Sequence, residues 1–151
     1  LMIYTAVFLA CVYRLRLLEN GAFYLFSLIG LIWLTDSAAY FAGRYAGRHR
    51  GIFPVSPNKS LEGFLAGIFM SYFAAFIFGY FGHYSVWQSL ALGTSTGIFG
   101  QFGDLFESML KRDVGIKDSS GFLPGHGGFL DRFDSFLVAA PTFYLFLILI
   151  K

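Results

Sequence analysis

Charge is the scarcest commodity in this sequence. Only 13% of its 151 residues are Asp, Glu, Lys or Arg, against about a quarter in a soluble domain, which excludes an ordinary water-soluble globule. Cysteine is nearly absent too. Cys11 stands alone, which excludes a disulfide framework and a thiolate metal centre; inside an apolar run it reads as a small packing residue. No Ser-His-Asp constellation or activated cysteine is in evidence, so covalent nucleophilic catalysis has no candidate. The formal net charge of +2 is too small for a nucleic-acid surface.

Apolar residues fill the rest. They make up 56% of the chain, with 20 Phe and 18 Gly, and the mean hydropathy is +0.63. Glycine is more frequent in transmembrane helices than in soluble ones, and each span takes about 20 residues. The expected fold is therefore all-α: a polytopic bundle of four to five transmembrane helices with short loops, forming one integral membrane domain over 1–151.

In order, the first apolar run covers 1–13 and ends at Arg14 and Arg16; basic residues follow it rather than precede it, unlike a cleavable signal peptide. A tight connection over 17–21 leads to a second span from about Ala22 that continues past Leu34 into TDSAAYFAGRYAG, with Asp36 inside it or near its end. The loop from Arg44 to Lys59 holds four basic residues and no acid. It reads both as a phosphate-binding loop and as a positive-inside anchor, and Pro54 and Pro57 keep it non-helical. Ser60 is placed to cap the next span, about Leu61 to Phe81, with Glu62 in its first turn. His83 lies in a short turn as an interfacial residue. The next span, about Val86 to Leu110, is rich in small and polar residues, and Gly93/Gly97, like Gly43/Gly47, has the spacing of close helix packing. The last span runs from near Gly128 to Ile150.

Between the last two spans, Ser108 to Asp134 (SMLKRDVGIKDSSGFLPGHGGFLDRFD) gathers charge among glycines. Ionisable residues beside a membrane span are costly and mark a site. Asp104 lies seven residues before Lys111, roughly 10 Å deeper along a helix, with Glu107 and Ser108 on its face and Lys111 one turn beyond Glu107. An Asp–Lys or Glu–Lys pair is the bland alternative. Asp131 and Asp134 lie one turn apart, where a helix dipole also favours carboxylates. Two carboxylates with open positions suit Mg²⁺ bound mainly through substrate phosphates. Lys59, Lys111, Arg112, Lys117 and Arg132 are candidates to neutralise those phosphates. With the loops 44–60 and 111–128 on the cytosolic side, eight basic residues (44, 48, 50, 59, 111, 112, 117, 132) share one face. Arg14 and Arg16 fall on the other, against the positive-inside rule.

The pattern Ser-x-Leu-Lys-Arg, then Lys117-Asp118, then Leu-Pro-x-His-Gly-Gly-Phe-x-Asp-Arg-Phe-Asp resembles the signature of the phosphatidate cytidylyltransferases (CDP-diacylglycerol synthases). A second block, Asp-Ser-Ala-Ala-Tyr-Phe-Ala-Gly-Arg through Ser56-Pro57-Asn58-Lys59-Ser60-x-Glu62-Gly63, resembles the same family, whose usual form has Lys where this chain has Asn58. The resemblance covers roughly Asp36 to the end, the C-terminal half of a fold usually about twice as long. It implies attack of the phosphatidate phosphate on the α-phosphorus of CTP, giving CDP-diacylglycerol and pyrophosphate in phospholipid biosynthesis. It implies Asp104 and Asp131 as ligands of Mg²⁺, with a monovalent ion as a further candidate, and Asp134 assisting. Lys111, the other basic residues and His126 would hold CTP and the leaving pyrophosphate. Ser56, Lys59 and Ser108 would line the pocket, with Arg112, Lys117, Asp118, Arg132 and Asp36 as further substrate-binding positions. The implied setting is a multi-pass protein of a bacterial inner membrane or its equivalent, among membrane lipids, with a homodimer as a candidate assembly and the active site facing the cytosol.

Alternatives remain at this stage. A CDP-archaeol synthase, or a dolichol- or phytol-type kinase using CTP, would share the metal and phosphate logic. A small transporter would use Asp36, Asp104 and Asp131 as an ion path, but no inverted repeat is evident. An inactive membrane subunit would keep only the motif's shape.

Overall fold

A computed structural model describes residues 2–113, 115 and 133–150, without the side chains of residues 2–4. The described residues form six α-helices: α1 (Met2–Arg16), α2 (Gly21–Tyr45), α3 (Leu61–Gly82), α4 (Val86–Thr94), α5 (Gln101–Asp113) and α6 (Asp134–Leu149), with a π-helical segment, Ser95–Gly100, joining α4 to α5. α2, with 25 residues, and α3, with 22, are each long and apolar enough to cross a membrane. Their outward faces carry large apolar side chains such as Trp33, 71% exposed, and Phe69, 73% exposed, an arrangement suited to a lipid-facing surface.

The helix ends follow from local chemistry. Ser60 caps α3 as expected, its Oγ accepting from the Gly63 N–H at 3.1 Å. Ser60 is 2% exposed, so Ser60→Ala is expected to cost about 1–2 kcal/mol, read as a lower thermal midpoint in detergent. His83 ends α3 in the left-handed region, φ 54°, with its N–H on the Gly79 carbonyl. Ser85 and Gln88 then form a reciprocal capping box that starts α4, with bonds of 3.2 and 2.9 Å. In α6, Pro141 removes a backbone donor, and Thr142 Oγ1 donates to the Val138 and Ala139 carbonyls at 2.9 and 3.0 Å.

One finding differs from the sequence-based expectations. The span foreseen over 86–110 is three consecutive helical pieces, because Ser95–Gly100 takes π geometry. There, Gly97 lets α3 come so close that a Cβ would sit 2.8 Å from Ser71 Cβ. The last described helix opens at Asp134, with Phe133, at φ −117°, outside it and contributing no side-chain cap; the start expected near Gly128 lies outside the described residues.

The apolar core occupies one end of the bundle. Leu15, Leu28, Leu31, Ala75, Leu92, Ala139, Ala140 and Phe143 are fully buried there, and Tyr24 meets Phe143 edge-on at 5.6 Å. Ser27 Oγ and Tyr84 OH share a 3.0 Å hydrogen bond at its rim. Burial pushes the Tyr84 phenol above the ordinary tyrosine range. The other end, where α2, α3 and α5 meet, is built on small and polar residues. A Cβ at Gly63 would lie 2.6 Å from the Ala39 carbonyl oxygen and 3.1 Å from Gly43 Cα, so α2 and α3 meet main chain to main chain there.

Candidate functional site

At that polar end α2, α3, α5 and the loop before α3 enclose a cavity of about 460 Å³. α2 lines it with Asp36, Tyr40, Gly43 and Arg44; the loop adds Arg50, Asn58 and Lys59; α3 adds Gly63 and Phe64; α5 adds Gln101 and Asp104.

The loop is held in place by its own backbone. The Leu61 N–H donates to the His49 carbonyl at 3.0 Å, and Gly51 N–H to the Pro57 carbonyl at 3.2 Å. Arg50 and Ser60 form an isolated antiparallel bridge. Glu62 accepts from the His49 N–H at 3.2 Å and contacts its Nδ1 at 2.6 Å. Ser56 lends its carbonyl to the Lys59 N–H at 3.0 Å. It thus shapes the turn that presents Lys59, and it is not among the lining residues.

Lys59 reaches from this turn to Asp104, its Nζ donating to Oδ2 across 45 positions of sequence. Both side chains stay about a third exposed, 31% and 30%, so the pair is open to a ligand. Asp36 and Asp134 complete the local field: Asp36 feels the negative charge of Asp134 and Asp104 and the positive charge of Lys59, and Asp134 feels Asp104, Lys111 and Lys59. Asp36, Asp104 and Asp134, from three helices, thus lie within electrostatic reach of Lys59, and Lys111, within reach of Asp134, also pairs with Glu107 at 3.5 Å. The cavity lining sets Asp36 and Asp104 against Arg44, Arg50 and Lys59, a balance suited to an anionic ligand such as a phosphate.

The donors are all oxygen, the chemistry of Mg²⁺ rather than of a thiophilic metal. Among the described residues no group of three or more Asp, Glu, His or Cys side chains is placed to hold a metal ion. At the rim, Arg50 donates to the Gly43 carbonyl at 3.0 Å, and Arg44 donates to Tyr40 OH at 2.7 Å. Both guanidiniums line the cavity, where planar forks can take phosphate oxygens.

Of the sequence-predicted site residues, Asp36, Lys59 and Asp104 come together in the cavity, and Asp134 and Lys111 lie within their field. Ser108 is half-buried and Arg112 exposed on α5; neither lines the cavity. Lys117, Asp118, His126, Asp131 and Arg132 lie outside the described residues, so the shared ion expected of Asp104 and Asp131 does as well. Sequence reasoning passed over Tyr40, Phe64 and Gln101. A glutamine inside an apolar helix was the available signal for the last of these.

The chain matches the Cytidylyltransferase family over residues 1–150, and it belongs to that family. Curated relatives include the phosphatidate cytidylyltransferase of Staphylococcus aureus (strain COL), 44% identical over 133 residues, which is 86% of this chain and 51% of that protein. The Staphylococcus haemolyticus (strain JCSC1435) protein of the same name is 43% identical over the same shares, and that of Staphylococcus epidermidis (strain ATCC 12228 / FDA PCI 1200) 44%. The chain spans about half the length of these curated relatives. Two apolar helices of spanning length, in a chain whose curated relatives are named phosphatidate cytidylyltransferase, are in keeping with membrane association.

Proposed function

We propose that this chain carries the catalytic site of a phosphatidate cytidylyltransferase. A phosphatidate phosphate oxygen forms a bond to the α-phosphorus of CTP. The bond from that phosphorus to the bridging oxygen breaks, and its electron pair leaves with pyrophosphate, giving CDP-diacylglycerol. The observation that carries this reading is the pairing of Lys59 with Asp104 inside a cavity that also holds Asp36, Arg44 and Arg50. A reaction of this kind needs positioning and charge neutralisation more than a protein nucleophile.

Each residue has a role in that scheme. Asp104 and Asp131, with Asp134 assisting, would hold Mg²⁺, whose chemistry is to neutralise the phosphate oxygens as charge shifts toward the leaving group. Lys59 gives up Asp104 for a phosphate oxygen when the substrate enters, so its charge moves from structure to substrate. Arg44 and Arg50 hold the polyphosphate at the rim. Phe64 and Tyr40 supply apolar wall between the charges. In the membrane, α1, α2, α3, the α4–α5 path and α6 would give four to five crossings, with 44–60 and 111–128 on the cytosolic side where CTP is dissolved.

The test is turnover of radiolabelled CTP with phosphatidate in membranes carrying the chain. The expected products are pyrophosphate and a cytidine lipid, and chelation of Mg²⁺ is expected to stop the reaction. Release of CDP with a newly phosphorylated lipid would instead identify a CTP-dependent lipid kinase. No nucleotide chemistry with either acceptor would refute the reading.

A further inference from the structure

The path from α4 to α5 contains a change of helix type. Six residues, Ser95–Gly100, have π geometry between two α-helical stretches. Each residue of an α-helix advances the side-chain direction by about 100°, so a single added residue turns everything downstream by that angle. Such segments concentrate at functional sites, and this one ends four residues before Asp104. Their carbonyls need donors that a regular helix would supply. Gln101 provides one: its Nε2 donates to the Gly97 carbonyl at 2.7 Å within the segment and to the Phe64 carbonyl of α3 at 3.2 Å. Both amide hydrogens are thereby used. The side chain is buried, 7% exposed, and α3 makes room for it at Gly67, where a Cβ would meet Nε2 at 2.9 Å and Oε1 at 3.1 Å.

Gln101 and Asp104 are one turn apart and line the same cavity. Phe64, whose carbonyl anchors Gln101, follows the loop that presents Lys59 by only a few residues. One amide thus links the two elements whose side chains form the Lys59–Asp104 pair. We propose that Gln101 is a positioning residue: its amide ties the π segment to α3 and so fixes the rotation of α5 at which Asp104 meets Lys59. The inference rests on the nucleotidyl-transfer reading for its catalytic consequence, but the geometric link stands apart from it.

Cross-linking separates the two. Lys59→Cys and Asp104→Cys, placed in a chain with Cys11→Ala, are treated in membranes with a short bifunctional methanethiosulfonate, and the joined peptides are measured by mass spectrometry. Adding Gln101→Met, which keeps length and loses both donors, is expected to cut the yield about tenfold, and Gly67→Ala, which displaces the amide from the opposite side, is expected to do the same. In the otherwise unmodified chain, Gln101→Met is expected to lower kcat about ten- to a hundredfold with the KM for phosphatidate unchanged. A cross-linking yield that stays at the parent level overturns the positioning role, as does an unchanged kcat. If Gln101→Met fails to accumulate in membranes, the Gly67→Ala yield decides. If the parent chain turns over no CTP while cross-linking still falls, the proposed function fails and the link between Gln101 and Asp104 stands.

Discussion

Asp104→Asn is expected to lower CTP-dependent turnover by on the order of a thousandfold, the scale seen when a fixed electrostatic partner of the transition state is removed. The substitution is nearly isosteric and the side chain is about a third exposed, 30%, so the helices have little reason to repack. What changes is charge. Lys59 loses its anionic partner, Asp36 and Asp134 lose a neighbour that repels them, and the cavity's attraction for a divalent ion falls. The measurement is turnover against Mg²⁺ concentration, with the thermal midpoint in detergent unchanged from the parent. Glu19→Gln, in a separate pocket beside His83 and Gln88, is the control and is expected to leave turnover as it was. A loss below about tenfold would leave Asp104 as a structural partner of Lys59 and no more.

Gly63→Val is expected to be strongly damaging for folding. The first added carbon would already lie 2.6 Å from the Ala39 carbonyl oxygen, 3.1 Å from Gly43 Cα and 3.2 Å from Gly43 N. All three are backbone atoms, so no rotamer change relieves them. Overpacking of this kind costs about 1–3 kcal/mol when neighbours can adjust; here a whole helix must move, and the contact between α2 and α3 is the most extensive in the fold. The expected readout is a lower thermal midpoint in detergent, together with loss of turnover, since Asp36, Arg44 and Lys59 sit on the two sides of that contact. Gly51→Ala is the comparison. It faces open space, but its φ of +76° strains any side chain, at a cost of about 1–2 kcal/mol. Gly63→Val melting together with the parent would mean that α2 slides on α3 without loss.

Several of these features were written in the sequence in local form. Ser60 two residues before Glu62 gave the start of α3, and the spacing of Gly43 with Gly47 and Gly93 with Gly97 gave close helix approach, because capping and small-residue packing depend on neighbours in the chain. Lys59, Asp36 and Asp104 were each legible as site residues, since a charged side chain in an apolar chain stands out. Their meeting was not. Lys59 and Asp104 are 45 positions apart, and only the packing of α3 against the π segment that leads into α5 sets their separation. The π segment was hidden for a related reason. STGIFG has no distinguishing pattern of its own, and its extra residue is accommodated by Gly97 against Ser71 and by the Gln101 amide, both tertiary events.

The walls of the cavity are partly main chain, where Gly43 and Gly63 bring two helices into contact. Peptide backbone cannot switch rotamers, so this receptor has a stiff outline and a small set of adjustable side chains, chiefly Tyr40, Asn58 and Phe64. Laboratory evolution toward an altered headgroup or nucleobase should therefore accumulate its successful changes at those three positions, leaving the glycine seam untouched.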